Sequence, residues 1–289
     1  MDKTLRALRA LRDKPAVSSP AKGKATPPIE RQQVTALARG LQILQCFTTT
    51  RRQLGSAEIA RLTGLPQATA WRLCQTLLRA GFLSASLGSQ RLQLGASALA
   101  LGLAASAAFD ILEVVRPRMQ ELADRFNASI SVAGRDGSDM VYLQRCVSEA
   151  MLGMNLQRGS RIPLVKTAMG WAYLAALAEG PRNAVLREIR RSNPALWPAV
   201  EGQLGLALRD HARNGFVIRK GLAHHGIIAI AVPIVSATSS QVLAINCSSQ
   251  TSDRTAKQLE LEVAPLLKEL ARTIGGALSS TAVLVPSER

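Results

Sequence analysis

Residues 56–83 read SAEIARLTGLPQATAWRLCQTLLRAGFL, and their spacing decides the fold of the first third of the chain. Ser56 is a good N-cap for a helix over residues 57–63, and Gly64 can take the left-handed conformation that stops it. Pro66 then pre-sets a turn or a first helical position, and a second helix runs from Gln67 to Ala80 and stops at Gly81. On this second helix Ala70, Leu73, Cys74, Leu77 and Leu78 fall at i, i+3, i+4, i+7 and i+8, which makes one buried stripe. Ala68, Arg72, Gln75 and Arg79 take the opposite face, which carries no acid and begins with short or polar side chains.

Such a face suits the major groove of duplex DNA, entered by the N-terminal residues of a helix whose back packs on the helix before it. Gln67, Thr69 and Arg72 are the candidate contacts to base edges or phosphates, with Ala68 short enough to let the backbone approach. Trp71 stands at the edge of the face, where it packs on a neighbouring strand or on the sugar backbone, or touches a base. Ser56 and Arg91 are candidates for holding phosphates, which positions the protein without reading sequence. After Gly81 come two strand-like pieces, Phe82–Ser86 and Arg91–Leu94, joined by a turn containing Gly88, as in a wing. Two short helices with a glycine turn also occur as plain structure, so the motif needs support from elsewhere in the chain.

Charge gives that support. Residues 1–95 hold 15 Lys and Arg against 4 acids, a net of +11, whereas residues 96–289 hold 21 bases and 16 acids, a net of +5. An excess concentrated in one third of a chain marks a surface for polyphosphate. An RNA-binding module and a protein-interaction module derived from the same helices remain as alternatives, separated from a DNA reader by the salt dependence of duplex binding.

Outward from the motif, residues 1–34 form a basic tail with Pro15, Pro20, Pro27 and Pro28. Residues 35–95 form the winged helix-turn-helix, opened by a helix over 34–47. Residues 96–126 form linker helices, the second capped by Asp110 and kinked or divided by Pro117. From Ala128 the hydrophobic period falls toward two. Strands are expected at ASISVAG (128–134), DMVYLQRC (139–146) and MLGMNLQ (151–157), then at 215–219, 227–235 and 241–247. Helices are expected at 164–178, 182–190, 201–213 and 253–279. Residues 127–280 therefore make an α+β domain.

Several stretches, in order, resemble the isocitrate lyase regulator (IclR) family of bacterial transcription factors. These are ALARGLQIL (36–44), SAEIARLTGLPQATAWRLCQTL (56–77), RLQLG (91–95), VRPRMQELA (115–123), DMVYLQR (139–145), GSRIPLVKTAMGWAYLA (159–175), NGFVIRKG (214–221) and GIIAIAVPI (226–234). The resemblance implies a winged helix-turn-helix joined by a linker helix to a GAF-like effector-binding domain with a mostly antiparallel sheet. It implies a dimer or dimer of dimers on a palindromic double-stranded DNA operator, acting as repressor or activator and switched by a small-molecule effector. Carried onto this chain, the effector pocket would be lined by Arg219, Ala229, Asn246 and Ser248, with Met154 and Met169 as apolar walls. The chain departs from the family pattern at Arg219 and Lys220, where acids are usual, at Ala229, where Cys or Ser is usual, and at Trp171, where a base is usual. Arg219 either holds the carboxylate of an anionic effector in its guanidinium fork or points to solvent from an edge strand.

No enzyme signature emerges. Cys46, Cys74, Cys146 and Cys247 lie apart in apolar runs without CxxC spacing, as reduced core thiols of a cytoplasmic protein do. His224 and His225 precede Gly226 in a loop without a second ligand cluster, so no metal is expected. GRDGSD (134–139) reads as a hairpin turn, and neither a P-loop nor a strand-linked GxGxxG is present, so no cofactor is expected. No apolar run is long enough to cross a bilayer, and the N-terminus lacks the apolar core of a secretory signal.

Overall fold

The computed structural model describes residues 34–283 apart from 49, 87, 108, 152–155, 222–224 and 239. All of the basic tail except Val34 lies outside the described residues, as do Met154 and His224.

The N-terminal unit packs three helices, α1 (Thr35–Gln45), α2 (Ser56–Thr63) and α3 (Gln67–Arg79), under a hairpin of β1 (Leu83–Ala85) and β2 (Leu92–Leu94). Ile43, Ile59, Ala70 and Cys74 are fully buried at its centre, so the stripe read from α3 is its core face. Gly64 stops α2 at φ 67°, as expected. Leu54 adds a third rung by exchanging both backbone hydrogen bonds with Leu92, at 2.9 and 2.8 Å. Ser56, however, is the first residue of α2 rather than its cap. The cap position falls on Gly55, whose N–H donates to the Glu58 carboxylate at 2.8 Å, satisfying from inside the helix what a cap side chain would have satisfied from outside.

Two linker helices follow, α4 (Ala96–Ala107) and α5 (Asp110–Arg125). Pro117 does not divide α5. It sits on the exposed face of the helix, where the carbonyl it leaves without a donor can turn to water. Asp110 is the first residue of α5, which starts from Phe109 without a side-chain cap.

The C-terminal unit is one antiparallel six-stranded sheet in the order β5-β4-β3-β8-β7-β6. Its strands are β3 (Ser129–Asp136), β4 (Asp139–Val147), β5 (Arg161–Pro163), β6 (Val217–Lys220), β7 (Ile227–Val235) and β8 (Val242–Gln250). The strand expected over 151–157 is absent from the described part of that stretch. A 3₁₀ turn at Glu149–Met151 takes its start, and the edge strand forms later, at Arg161–Pro163.

Each face of the sheet buries its own core. On one side α5 and the closing helix α9 (Ala264–Val283) cover Ile130, Val132, Ile228, Ile230, Ile245 and Cys247. On the other, α6 (Ala168–Ala176), α7 (Glu179–Ser192) and α8 (Trp197–Asn214) cover Ala133, Val217, Ala231 and Ala244. Small residues on this second face let α6 lie close over the sheet and leave room beside it. Gly170 fixes that approach, because a Cβ there would stand 2.0 Å from the Leu164 carbonyl oxygen.

Candidate functional site

The outer face of α3 is a basic surface with almost no counter-charge. Residues 34–95 contain seven arginines and one acid, Glu58, a net of +6. Glu58 is not a free negative charge. It accepts from the Gly55 N–H and pairs with Arg91 at 2.7 Å, and these interactions, the backbone bond first, hold its carboxyl below the usual carboxylate range. Arg91 also donates to the Gln53 carbonyl at 2.9 Å, so this side chain buckles the wing to the start of α2.

Gln67, Ala68, Trp71 and Arg72 are exposed and Thr69 is half-buried. Trp71 is 45% exposed, so a large part of its ring is open to a partner. Arg72 and Thr69 share a shallow hollow with Arg39 of α1 and Thr76. Arg39 was not singled out from the sequence, because a lone arginine on an amphipathic helix carries no signal until the fold sets it beside Arg72. Ser56 is half-buried at the start of α2. The arrangement offers a helix N-terminus and guanidinium groups to an extended polyanion.

The second site is a pocket on the face of the sheet that α6, α7 and α8 cover. Its floor is β8 and β7, through Asn246, Ser248 and Ala229. Ile162, Leu156, Tyr142 and the start of α6 at Thr167 and Ala168 form its walls, and Arg145, Arg219 and Lys166 bring positive charge to it. No acid lines it. It holds about 60 Å3 for the centres of water-sized molecules, several times the ~10–15 Å3 that one water requires.

Arg219 lies on the edge strand β6 yet is only 10% exposed. Its Nη1 donates to Asp210 at 2.7 Å and to the Ile218 carbonyl, while Nε and Nη2 are buried without a partner. Arg145 is alike. Its Nη1 donates to Ser131 at 3.3 Å, its guanidinium carbon stands 5.2 Å from the Tyr142 ring centre, and Nε and Nη2 are buried and unpartnered. Burial lowers the Arg145 guanidinium from its ordinary value, offset in part by nearby Tyr142. Asn246 is also buried, with its amide nitrogen donating to Ser248 and its oxygen unpartnered. Thr167 caps α6 by accepting from the Gly170 N–H at 3.0 Å, which leaves the amides of Ala168 and Met169 as the helix-end donors at the pocket wall.

Arg219, Ala229, Asn246 and Ser248 thus come together in one pocket. Met169 does not join them. Its side chain is fully buried in the core beneath α6, because it stands about 100° around the helix from pocket-facing Ala168. Arg145 was missed because the pairing of β3 with β4 shifts register between Val132 and Ala133, so that Val132 faces Gln144 and Ala133 faces Tyr142. The extra residue flips the alternation and turns Arg145 to the face of Tyr142.

The remaining candidates are inert. All four cysteines are buried, and burial raises the Cys74 thiol to about 11 and the Cys247 thiol to about 12. Among the described residues no group of His, Cys, Asp and Glu could hold a metal ion. No single described helix is long and apolar enough to cross a membrane.

Comparison with known families covers both units of the chain. Residues 36–86 match the IclR helix-turn-helix domain, and residues 103–275 match the bacterial transcriptional regulator IclR C-terminal domain. The chain belongs to the IclR family. An IclR family transcriptional regulator from Brucella abortus is 38% identical, with a TM-score of 0.73 over 94% of this chain and 100% of that one. The HTH-type transcriptional regulator TsaQ1/TsaQ2 of Comamonas testosteroni is 28% identical over 260 residues, which is 88% of this chain and 93% of that protein. The Pca regulon regulatory protein of Pseudomonas putida is 27% identical over 263 residues, covering 90% and 89%. An IclR homolog from Microbacterium hydrocarbonoxydans, crystallised with 4-hydroxybenzoate, shares the fold at 21% identity and a TM-score of 0.67, over 85% of this chain and 99% of that one. The protein is a DNA-binding regulator of the IclR type, not an enzyme, and its C-terminal unit is the effector-binding domain of that family.

Proposed function

We propose that this IclR regulator binds a palindromic operator as a dimer or dimer of dimers, and that an anionic small molecule in the C-terminal pocket switches it. One observation carries the effector half of this reading: Arg219 is nine-tenths buried at the pocket with Nε and Nη2 unpaired. Asp210 and the Ile218 carbonyl satisfy Nη1 alone; buried Nε and Nη2 groups without an acceptor are costly, and a carboxylate across that edge of the fork removes the cost. The pocket's lack of acids and the end of α6 at its wall point the same way. The homolog crystallised with 4-hydroxybenzoate holds an aromatic acid.

Gln67, Ala68, Thr69, Trp71 and Arg72 enter the major groove in this reading, while Ser56, Arg91 and Arg39 position the duplex through phosphates. Self-association is supported by α4, which buries none of its residues and exposes Leu99, Leu101 and Leu103 by 61% or more. Val34, just before α1, makes a second exposed apolar stripe with Leu37 and Leu41 on it. Among the described residues nothing covers these surfaces, and a second copy would. The site of action is the cytoplasm, where the buried thiols stay reduced.

The test combines a thermal-shift screen of carboxylic acids with DNA binding in the presence of each hit. Stabilisation by acids, with a matching change in operator affinity, supports the reading. Stabilisation by neutral or cationic compounds alone overturns the effector half.

A further inference from the structure

Two arginines, not one, reach this pocket, and they approach from opposite sides. Arg145 is on β4 and Arg219 on β6, with β3, β8 and β7 between them. The pairing registers define two rows across the pocket face. Arg145 stands opposite Ser131, which stands opposite Asn246, and Ser248 stands opposite Ala229, which stands opposite Arg219. Every residue between the arginines is small or is Asn246, so the floor is low in the middle and cationic at both ends.

Each guanidinium is anchored through the same nitrogen, Arg145 by a neutral hydroxyl and Arg219 by a carboxylate and a backbone carbonyl. Nη1 is used internally, by Ser131 for Arg145 and by Asp210 and Ile218 for Arg219. Nε and Nη2 are unpartnered in both. Those two nitrogens form one side of the planar fork, the edge that takes both oxygens of a carboxylate at once. One carboxylate fills one such edge. The anchor of Arg145 on β3 and that of Arg219 on its own strand stand about three strand spacings apart, ~14 Å along the sheet before its curl. A hydrogen bond at each end leaves the middle of that span to a short carbon chain or a single ring.

We propose that the effector is a two-headed acid, a compact dicarboxylate with one carboxylate in the Arg219 fork and the other in the Arg145 fork. The proposal rests on the reading of this pocket as an anion site and narrows it. Lys166, exposed at the mouth, draws in the dianion, and the Tyr142 and Ile162 side chains pack on its carbon skeleton. Asn246 orients the molecule from the floor. Arg145 is therefore a specificity-determining residue of the pocket.

The test is calorimetric titration of the intact protein with matched pairs, hexanoate against adipate and benzoate against terephthalate. The second acid group is expected to raise affinity about tenfold or more, the worth of a hydrogen bond between charged groups. In Arg145→Met, which keeps a side chain packed over Tyr142, the diacid falls to the affinity of its monoacid partner while the monoacid is little changed. A thermal melt of the variant confirms that it folds, and Arg219→Met supplies the converse variant, in which both members of each pair weaken or lose a head. Equal affinity for monoacid and diacid, or equal losses on both in Arg145→Met, overturns the two-headed proposal and leaves the anion site standing. Binding of neither class overturns the anion site itself.

Discussion

Arg72→Ala separates base reading from phosphate holding on the face of α3. Arg72 is exposed, and among the described residues its side chain has no ion pair or hydrogen-bond partner. Truncating it therefore removes no internal interaction, and folding stability should stay within about 0.5 kcal/mol of the parent. If its fork reads a base, each half-site loses about 1–3 kcal/mol of discrimination, and a palindrome engaged by two copies loses about 2–6 kcal/mol. Affinity for a mixed-sequence duplex, carried by phosphates, should fall far less. Fluorescence anisotropy with an operator and a scrambled duplex, repeated over a series of salt concentrations, reads both quantities. Arg72→Lys adds a control, since a point charge keeps the phosphate contribution and loses the bidentate one. Equal losses on operator and scrambled duplex, with the salt slope reduced by about one per copy, would refute base reading and leave Arg72 a phosphate contact.

Three further outcomes follow from the packing. Gly170→Ala should abolish effector binding without touching the DNA face, because the new Cβ would stand 2.0 Å from the Leu164 carbonyl oxygen and push the start of α6 off the pocket; calorimetry against an unchanged operator affinity checks it. Glu113→Gln should uncouple the two sites. Its carboxylate on α5 meets Arg158 at 2.5 Å and Gln144 at 3.3 Å, and those residues flank the pocket residues Leu156 and Arg145. An effector-linked change in operator affinity, of the usual size of about 5–150-fold, should shrink toward none while each affinity alone is nearly kept. Leu101→Asp on α4 should convert the assembly to monomers by sedimentation and weaken operator binding, whereas an unchanged sedimentation rate would remove α4 from the interface.

The helix-turn-helix was legible because its local signals agree: a 3.6-residue stripe, a glycine at the turn and an acid-free face all fall within residues 56–83. The sheet was legible where an apolar run is bounded by a glycine and a cluster of small polar residues, as in Ile227–Val235, and missed at Met151, which closes a 3₁₀ turn where a strand was expected to start. Pro117 misled because a proline on the water-facing side of a helix costs less than one in its core. Arg219 was placed at the pocket by the family resemblance, and its departure from the acid usual there suggested an anion. Arg145 was not, because a one-residue bulge reverses which side of β4 it faces and no local composition announces that bulge.

The exposed face of α3 should lie in the major groove, and a tethered cleavage reagent reports that placement on the DNA itself. All four native thiols are buried, so an iron chelate attached to Ala68→Cys is confined to the exposed start of α3. Strand cleavage is expected at two patches within the operator, related by its two-fold axis, with the stagger of a reagent seated in the major groove. Full-affinity binding with cleavage absent from the half-sites would contradict it.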